Sequence, residues 1–320
     1  METAPLFHHV ADGPDNGTAY WLTAEDGRRL RIGVWSEGER GTVLLFPGRT
    51  EYVEKYGRAA QDLRARGYAT VAVDWRGQGL ADRLLPAPAV GFVERFTDYQ
   101  FDVQAVMSAL PALDLPPPLF LLAHSMGGCI GLRAMMDGLN VKAACFSGPM
   151  WDIEFPSLLR PVAWAVAYTG RQIGLGTQYA PGTTGNTAYP EAAPFEGNEL
   201  TNDPDMYAYM RRQTEIEPAL SLGGPSLHWV HEALREIRAL RARPSPAQPA
   251  LSFVGSAEKI VAPAAIEERM ARWPGGKLER IDGGRHEVMM ETPERRRRFF
   301  DATAALFASA SQSPNLAVSA

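Results

Sequence analysis

A chain of 320 residues, 45% of them hydrophobic, is long enough for one large α/β domain carrying an insertion. A net charge of −5 and a pI near 5.8 exclude a general nucleic-acid binder, and two cysteines, Cys129 and Cys145, exclude a disulfide framework and point to a reducing compartment. There is no run of about eighteen apolar residues, and the start "METAPLFHHVADG" has no basic, apolar leader. The expected setting is therefore soluble and cytoplasmic.

In chain order, His8 and His9 fall in an N-terminus expected to fray. Short apolar or β-branched runs then predict strands at "RLRIGVW" (29–35), "TVLLFPG" (42–48), "YATVAVDW" (68–75), "LFLLAH" (119–124), "VKAACFSG" (141–148), "ALSFVGS" (250–256) and "KLERIDG" (277–283). Helix-period stretches separate several of them, such as "EKYGRAAQDLRARG" (54–67) and "FTDYQFDVQAVMSALPAL" (96–113). This alternation is what a mostly parallel sheet flanked by helices requires.

The rhythm breaks once. From Pro149 to Pro249 no convincing strand occurs, while "SLLRPVAWAVAYTG" and "SLHWVHEALREIRALRA" have helical spacing on either side of the loop "GTQYAPGTTGNTAYP". A structureless connection of that length would be unusual inside a compact domain, so it reads as an inserted helical cap. The expected organisation is a core at 1–148 and 246–310, a cap at 149–245, and a disordered tail at 311–320. Pro293 starts an amphipathic helix, and the run Arg295 to Arg298 reads as its solvated face.

The segment "FLLAHSMGGCIGL" (120–132) places Ser125 at a sharp passage from strand to helix, with small residues on either side. Such a turn lifts a hydroxyl clear of the sheet, as a nucleophile needs, whereas a serine that only caps the helix needs no such crowding. A serine requires a base, and the chain has six histidines. His124 abuts the serine and points elsewhere, and His228 and His231 belong to the second cap helix. His286 remains, in "GGRHEVMM" after the last strand. For the acid that orients it, Glu258 lies in "LSFVGSAEKIVAP" after a strand, with Asp282 and Asp152 as rivals. Two backbone N–H groups must face the carbonyl oxygen as it becomes negative; Met126 follows the nucleophile and Arg49 follows Gly48.

Together, "LLFPGRTEYVEKYG", "VAVDWRGQGLADR", "LLAHSMGG", "FVGSAEKIVAP" and "GGRHEVMMET" resemble the lysophospholipase L2 and monoacylglycerol lipase-like branch of the α/β-hydrolase superfamily, over about residues 20 to 308. The resemblance implies an α/β-hydrolase fold with an inserted helical cap and a serine hydrolase acting on esters of glycerol-linked acyl chains. In it Ser125, Glu258 and His286 match the triad, and Arg49 and Met126 the oxyanion donors. Ala123 replaces the usual glycine, "FPGRTEY" the usual His-Gly, and Ala81 the usual serine. In "DWRGQG" (74–79), Asp74 and Arg76 read as a structural brace rather than a catalytic pair.

In the cap, Leu158, Leu159, Val162, Trp164, Val166 and Tyr168, bracketed by Arg160 and Arg171, would line an acyl tunnel, touch a bilayer transiently, or simply pack on the core. Trp164, Tyr168 and Arg211 are candidate substrate contacts. The expected partner is a small acyl ester or lysolipid, with no nucleic acid, and the chemistry needs neither metal nor organic cofactor. Two competitors stand beside it: an aminopeptidase or small-ester hydrolase, which as a peptidase would gather Glu191, Glu196, Glu199, Asp203 and Asp205 around a free amine, and a binding protein that has lost turnover.

Overall fold

The computed structural model describes residues 1–154, 160–183 and 185–312. Nine strands form one sheet: β1 (Glu2–Thr3), β2 (Thr18–Thr23), β3 (Arg29–Trp35), β4 (Thr42–Phe46), β5 (Ala69–Asp74), β6 (Leu119–His124), β7 (Ala144–Ser147), β8 (Ala250–Gly255) and β9 (Gly276–Ile281). Their spatial order is β1-β2-β3-β5-β4-β6-β7-β8-β9. The first pairings, β1 with β2, β2 with β3 and β3 with β5, are antiparallel, and all the others are parallel.

β4, β5, β7 and β8 are buried along their whole length, and β6 from its second residue on. Continuous apolar runs suit this position, because helices cover a parallel sheet on both faces. Successive side chains alternate between the faces. Leu44, Phe46, Leu121 and Phe146 pack with Val103, Ile130, Trp229 and Met270 on one side. Val43, Leu45, Phe120 and Phe253 pack with Leu63, Tyr209, Phe299 and Phe307 on the other.

Several expectations are corrected. The N-terminus does not fray: β1 pairs with β2, His8–Ala11 form a helical turn, and Val10 is buried. β2, "TAYWLT", was not expected; an antiparallel strand outside the parallel block, it is exposed at both ends, only partly buried between, and has no uniform apolar run. A helix at Pro204–Ile216 was also missed, although Asp203 caps it through the N–H groups of Asp205 and Met206 and proline stands at its start. The last helix, Pro293–Gln312, takes in the first two residues of the expected tail; residues 313–320 lie outside the described residues, as do Leu158 and Leu159.

Between β7 and β8 the described residues hold helices and turns and no strand, with long helices at Arg160–Gln172, Pro204–Ile216 and Leu227–Arg241. In the turn after β5, Asp74 and Arg76 brace the fold but not through each other. Asp74 accepts from Arg31 Nε at 2.7 Å and from the N–H groups of Val53 and Leu80. Arg76 donates to Asp102 at 2.7 Å and to Asp26 at 2.6 Å.

Candidate active site

The apolar run of β6 continues directly into the helix Met126–Met136, and Ser125 occupies the corner at φ 48° and ψ −118°. That conformation is costly for a side-chain-bearing residue, so it persists only where its surroundings enforce it. Here Ser125 N–H donates to Ser147 O at 3.1 Å, and Ser125 O accepts from Gly128 N at 2.9 Å and Met150 N at 2.8 Å. The two glycines follow from crowding. A Cβ on Gly127 would sit 2.1 Å from Phe46 O, and one on Gly128 would sit 2.5 Å from Pro149 Cβ.

β9 delivers His286 to the same edge of the sheet. Its Nε2 lies 2.9 Å from Ser125 Oγ and its Nδ1 lies 2.8 Å from Glu258 Oε2. A carboxylate can only accept, so Nδ1 carries the proton and Nε2 presents a lone pair to the hydroxyl. Glu258 is held in turn through Oε1, which accepts from Ile260 N at 2.7 Å and Val261 N at 3.2 Å. Burial opposes ionisation of Glu258, but His286 and those two N–H groups outweigh it and lower the carboxyl pKa. His286 Nδ1 is thus taken by Glu258 and not by a rival acid: Asp282 takes a long contact from Ser256 Oγ, and Asp152 Oδ1 accepts from Ile153 N.

Met126 opens its helix, so its N–H has no acceptor in a preceding turn. Arg49 follows β4, and its guanidinium reaches upward, donating to Gly223 O at 2.9 Å and lying 5.6 Å from the Trp229 ring. Burial pushes this guanidinium down to about 10, which leaves it charged at neutral pH.

A cavity of about 670 Å³ opens over Ser125 and His286. Its walls are mainly apolar, including Met150, Val162, Val166, Leu227, Trp229 and Ile260. The expected contacts need correction. Val162 and Val166, one helical turn apart, face the cavity, whereas Trp164 and Tyr168 turn about 200° away and pack near His231, at 5.6 and 5.9 Å between rings. Arg211 is not among the lining residues; it pairs with Glu215 at 2.6 Å on an exposed helix face. The acidic residues named for a peptidase do not gather. Glu199 lines the cavity, but Asp203 caps a helix, Asp205 pairs with Arg58 and Glu191 accepts from Ser221.

Beside Ser125 and His286, at the cavity floor, lies a buried group that sequence reading passed over: Glu51, Lys55 and Glu287, which line the same cavity, with His124 among them. The ligand atoms of Glu51, His124 and Glu287 lie within 4.8 Å of one another, as a metal site would need. The cation between the carboxylates is the Lys55 ammonium, 2.6 Å from Glu51 and 2.5 Å from Glu287.

A strand-turn-helix nucleophile corner, a base from the loop after the last strand and a segment inserted after β7 together define an α/β-hydrolase of the serine type. Residues 37–293 match the family described as serine aminopeptidase, S33, to which the chain belongs, within the lysophospholipase and monoacylglycerol lipase-like branch. Among curated relatives, a probable lysophospholipase L2 of Haemophilus influenzae is 32% identical over 261 residues, covering 81% of this chain and 80% of that one. The lysophospholipase L2 of Escherichia coli K12 is 31% identical over 263 residues, covering 78% and 75%. Among solved structures, a soluble variant of Saccharomyces cerevisiae monoglyceride lipase in complex with a substrate analogue superposes with a TM-score of 0.71 at 21% identity, covering 90% of this chain and 94% of that one.

Proposed function

We propose that the protein hydrolyses carboxylic esters of glycerol-linked acyl chains, of the lysophospholipid or monoacylglycerol class, through an acyl-enzyme on Ser125. The observation that carries this reading is the hydrogen-bonded series Ser125, His286, Glu258 at the floor of a largely apolar cavity. The relatives that are lysophospholipases and a monoglyceride lipase by name support the choice of substrate.

In this mechanism Ser125 Oγ attacks the acyl carbonyl as its proton passes to His286 Nε2. The carbonyl oxygen becomes an oxyanion, received by the N–H groups of Arg49 and Met126. His286 returns the proton to the departing glycerol oxygen as the ester bond breaks, leaving the acyl chain on Ser125. Water then loses a proton to His286 and attacks the acyl carbon, and the proton goes back to Ser125 as the fatty acid leaves. Glu258 keeps Nδ1 protonated and stabilises the imidazolium at each stage.

Residues 149–245 act as the cap in this reading, with residues 1–148 and 246–310 as the core, and the cap wall receives the acyl chain. Val162 and Val166 at the cavity, and Tyr168, Ile173 and Leu175 away from it, leave apolar surface exposed on and just after the helix Arg160–Gln172, which supports transient contact of the cap with a lipid surface. No helix of the described residues is long and apolar enough to cross a membrane. The test is a substrate panel of p-nitrophenyl esters, monoacylglycerol, lysophosphatidylcholine and aminoacyl amides. Release of fatty acid from the glycerol esters is expected, and cleavage of the amides alone would overturn the reading.

A further inference from the structure

The nucleophile, the base and the oxyanion loop of the proposed chemistry each have a buried ionisable residue close by in the chain. Glu51 follows the oxyanion loop, His124 precedes Ser125 and Glu287 follows His286; all three are 5% exposed or less. Lys55 bridges the two carboxylates at 2.6 and 2.5 Å. Glu51 Oε2 also accepts from Gly48 N, next to Arg49, and from the Tyr56 hydroxyl.

The protonation of His124 follows from its neighbours. Nδ1 lies 2.8 Å from Ser147 O, and a carbonyl accepts, so Nδ1 carries a proton. Nε2 lies 3.4 Å from Glu51 Oε1 and 3.3 Å from Glu287 Oε2, within ion-pair reach of both but in hydrogen-bond geometry with neither. A lone pair there would confront two carboxylate oxygens in a buried site, whereas a proton makes both contacts attractive. With it, two carboxylates face two cations and the group is neutral.

We propose that His124 is a standing imidazolium whose charge, 4.8 Å from His286 ring to ring, makes it a positioning residue that keeps His286 in its neutral, proton-accepting form. Apart from this group, His286 faces Ser125 and Glu258, its N–H donates to Glu199 O, and Arg285 precedes it, while Glu199 and Lys259 also line the cavity. Those neighbours are the same in every variant below, so differences report the cluster.

The sign follows by counting charge. Removing the His124 cation leaves a net negative group beside His286, which favours its protonated form, so the acid limb of kcat/KM moves to higher pH. Removing the Glu287 charge leaves a net positive group, so the limb moves to lower pH. The experiment measures kcat/KM against pH on a p-nitrophenyl ester for wild type, His124→Asn, Glu287→Gln and the double variant. Shifts of about one pH unit in opposite directions are expected for the single variants, with the double variant within a few tenths of a unit of wild type. Limbs that stay put, or move the same way, would overturn the proposal.

That arm rests on the hydrolase reading. A second arm does not: imidazole 15N spectra of the full-length wild-type protein between pH 5 and 9. Both His124 nitrogens are expected to remain protonated throughout. A neutral His124 at pH 7 would overturn the proposal even if esterase activity is intact, and a protonated His124 in a protein that cleaves no ester would sink only the function.

Discussion

Glu258 holds His286 with one carboxylate oxygen, 2.8 Å from Nδ1, and is itself held by the other, which accepts the N–H groups of Ile260 and Val261. A side chain one methylene longer than aspartate is thus fixed at both ends. Glu258→Gln keeps the shape but can present an amide N–H to His286, and it removes the charge that stabilises the imidazolium. We expect kcat to fall about 10²- to 10⁴-fold with a much smaller change in KM, measured at the pH optimum. A fall confined to KM would mean that Glu258 serves binding alone.

The same carboxylate makes stability depend on pH. Its folded pKa is lowered, because His286 and the loop N–H groups prevail over burial. A depressed folded pKa means that the unfolded chain binds the proton more readily. The stabilisation is therefore complete above the unfolded value of about 4.3 and is lost as pH falls through the folded one. Melting temperatures at pH 7 and pH 4 should differ less in Glu258→Gln than in wild type. An equal or larger difference would contradict this assignment.

Gly127 packs its helix against the end of β4, where an added Cβ would lie 2.1 Å from Phe46 O and 2.5 Å from Pro47 O. Both obstacles are backbone, so the helix must shift. Gly127→Ala should lower unfolding free energy by about 1–3 kcal/mol and displace Ser125 from His286, reducing kcat as well. Urea denaturation and single-turnover kinetics on the folded enzyme check the two effects.

Asp74 is fully buried, pairs with buried Arg31 at 2.7 Å, and accepts two backbone N–H groups. Asp74→Ala leaves a buried guanidinium with fewer partners and should cost about 3–5 kcal/mol of stability. The exposed pair Arg298 and Glu279 should be worth less than about 1 kcal/mol. Comparable losses at the two sites would contradict the bracing role given to the turn after β5.

The cavity wall makes a prediction about chain length. Val166 faces the cavity from the helix Arg160–Gln172, so Val166→Trp should lower kcat/KM for long-chain p-nitrophenyl esters more than for the butyrate. A uniform drop across chain lengths would place the acyl chain elsewhere.

What could be read from the sequence was local. Ser125 showed itself because a strand, a corner and a glycine-rich helix start follow in one short stretch, and His286 and Glu258 because each lies just after a strand of recognisable composition. β2 and the helix Pro204–Ile216 escaped because neither has a clean apolar period, although Asp203 and Pro204 mark the helix start. In the cap, hydrophobicity alone selected Trp164 and Tyr168, whereas helical phase turns Val162 and Val166 to the cavity. The buried cluster was legible only in part. Glu51 and Lys55 are spaced i,i+4, but Glu287 joins them from 232 residues beyond Lys55, and only the folded sheet edge brings that pair together.

The central claim is that Ser125 is the activated nucleophile that takes up the acyl group. Intact-mass and peptide-level spectrometry after treatment with a fluorophosphonate measures this directly. The expected result is one adduct per chain, on the peptide containing Ser125, with ester hydrolysis lost in proportion and no labelling in Ser125→Ala. An adduct on another residue, or full hydrolytic activity in folded Ser125→Ala, would contradict it.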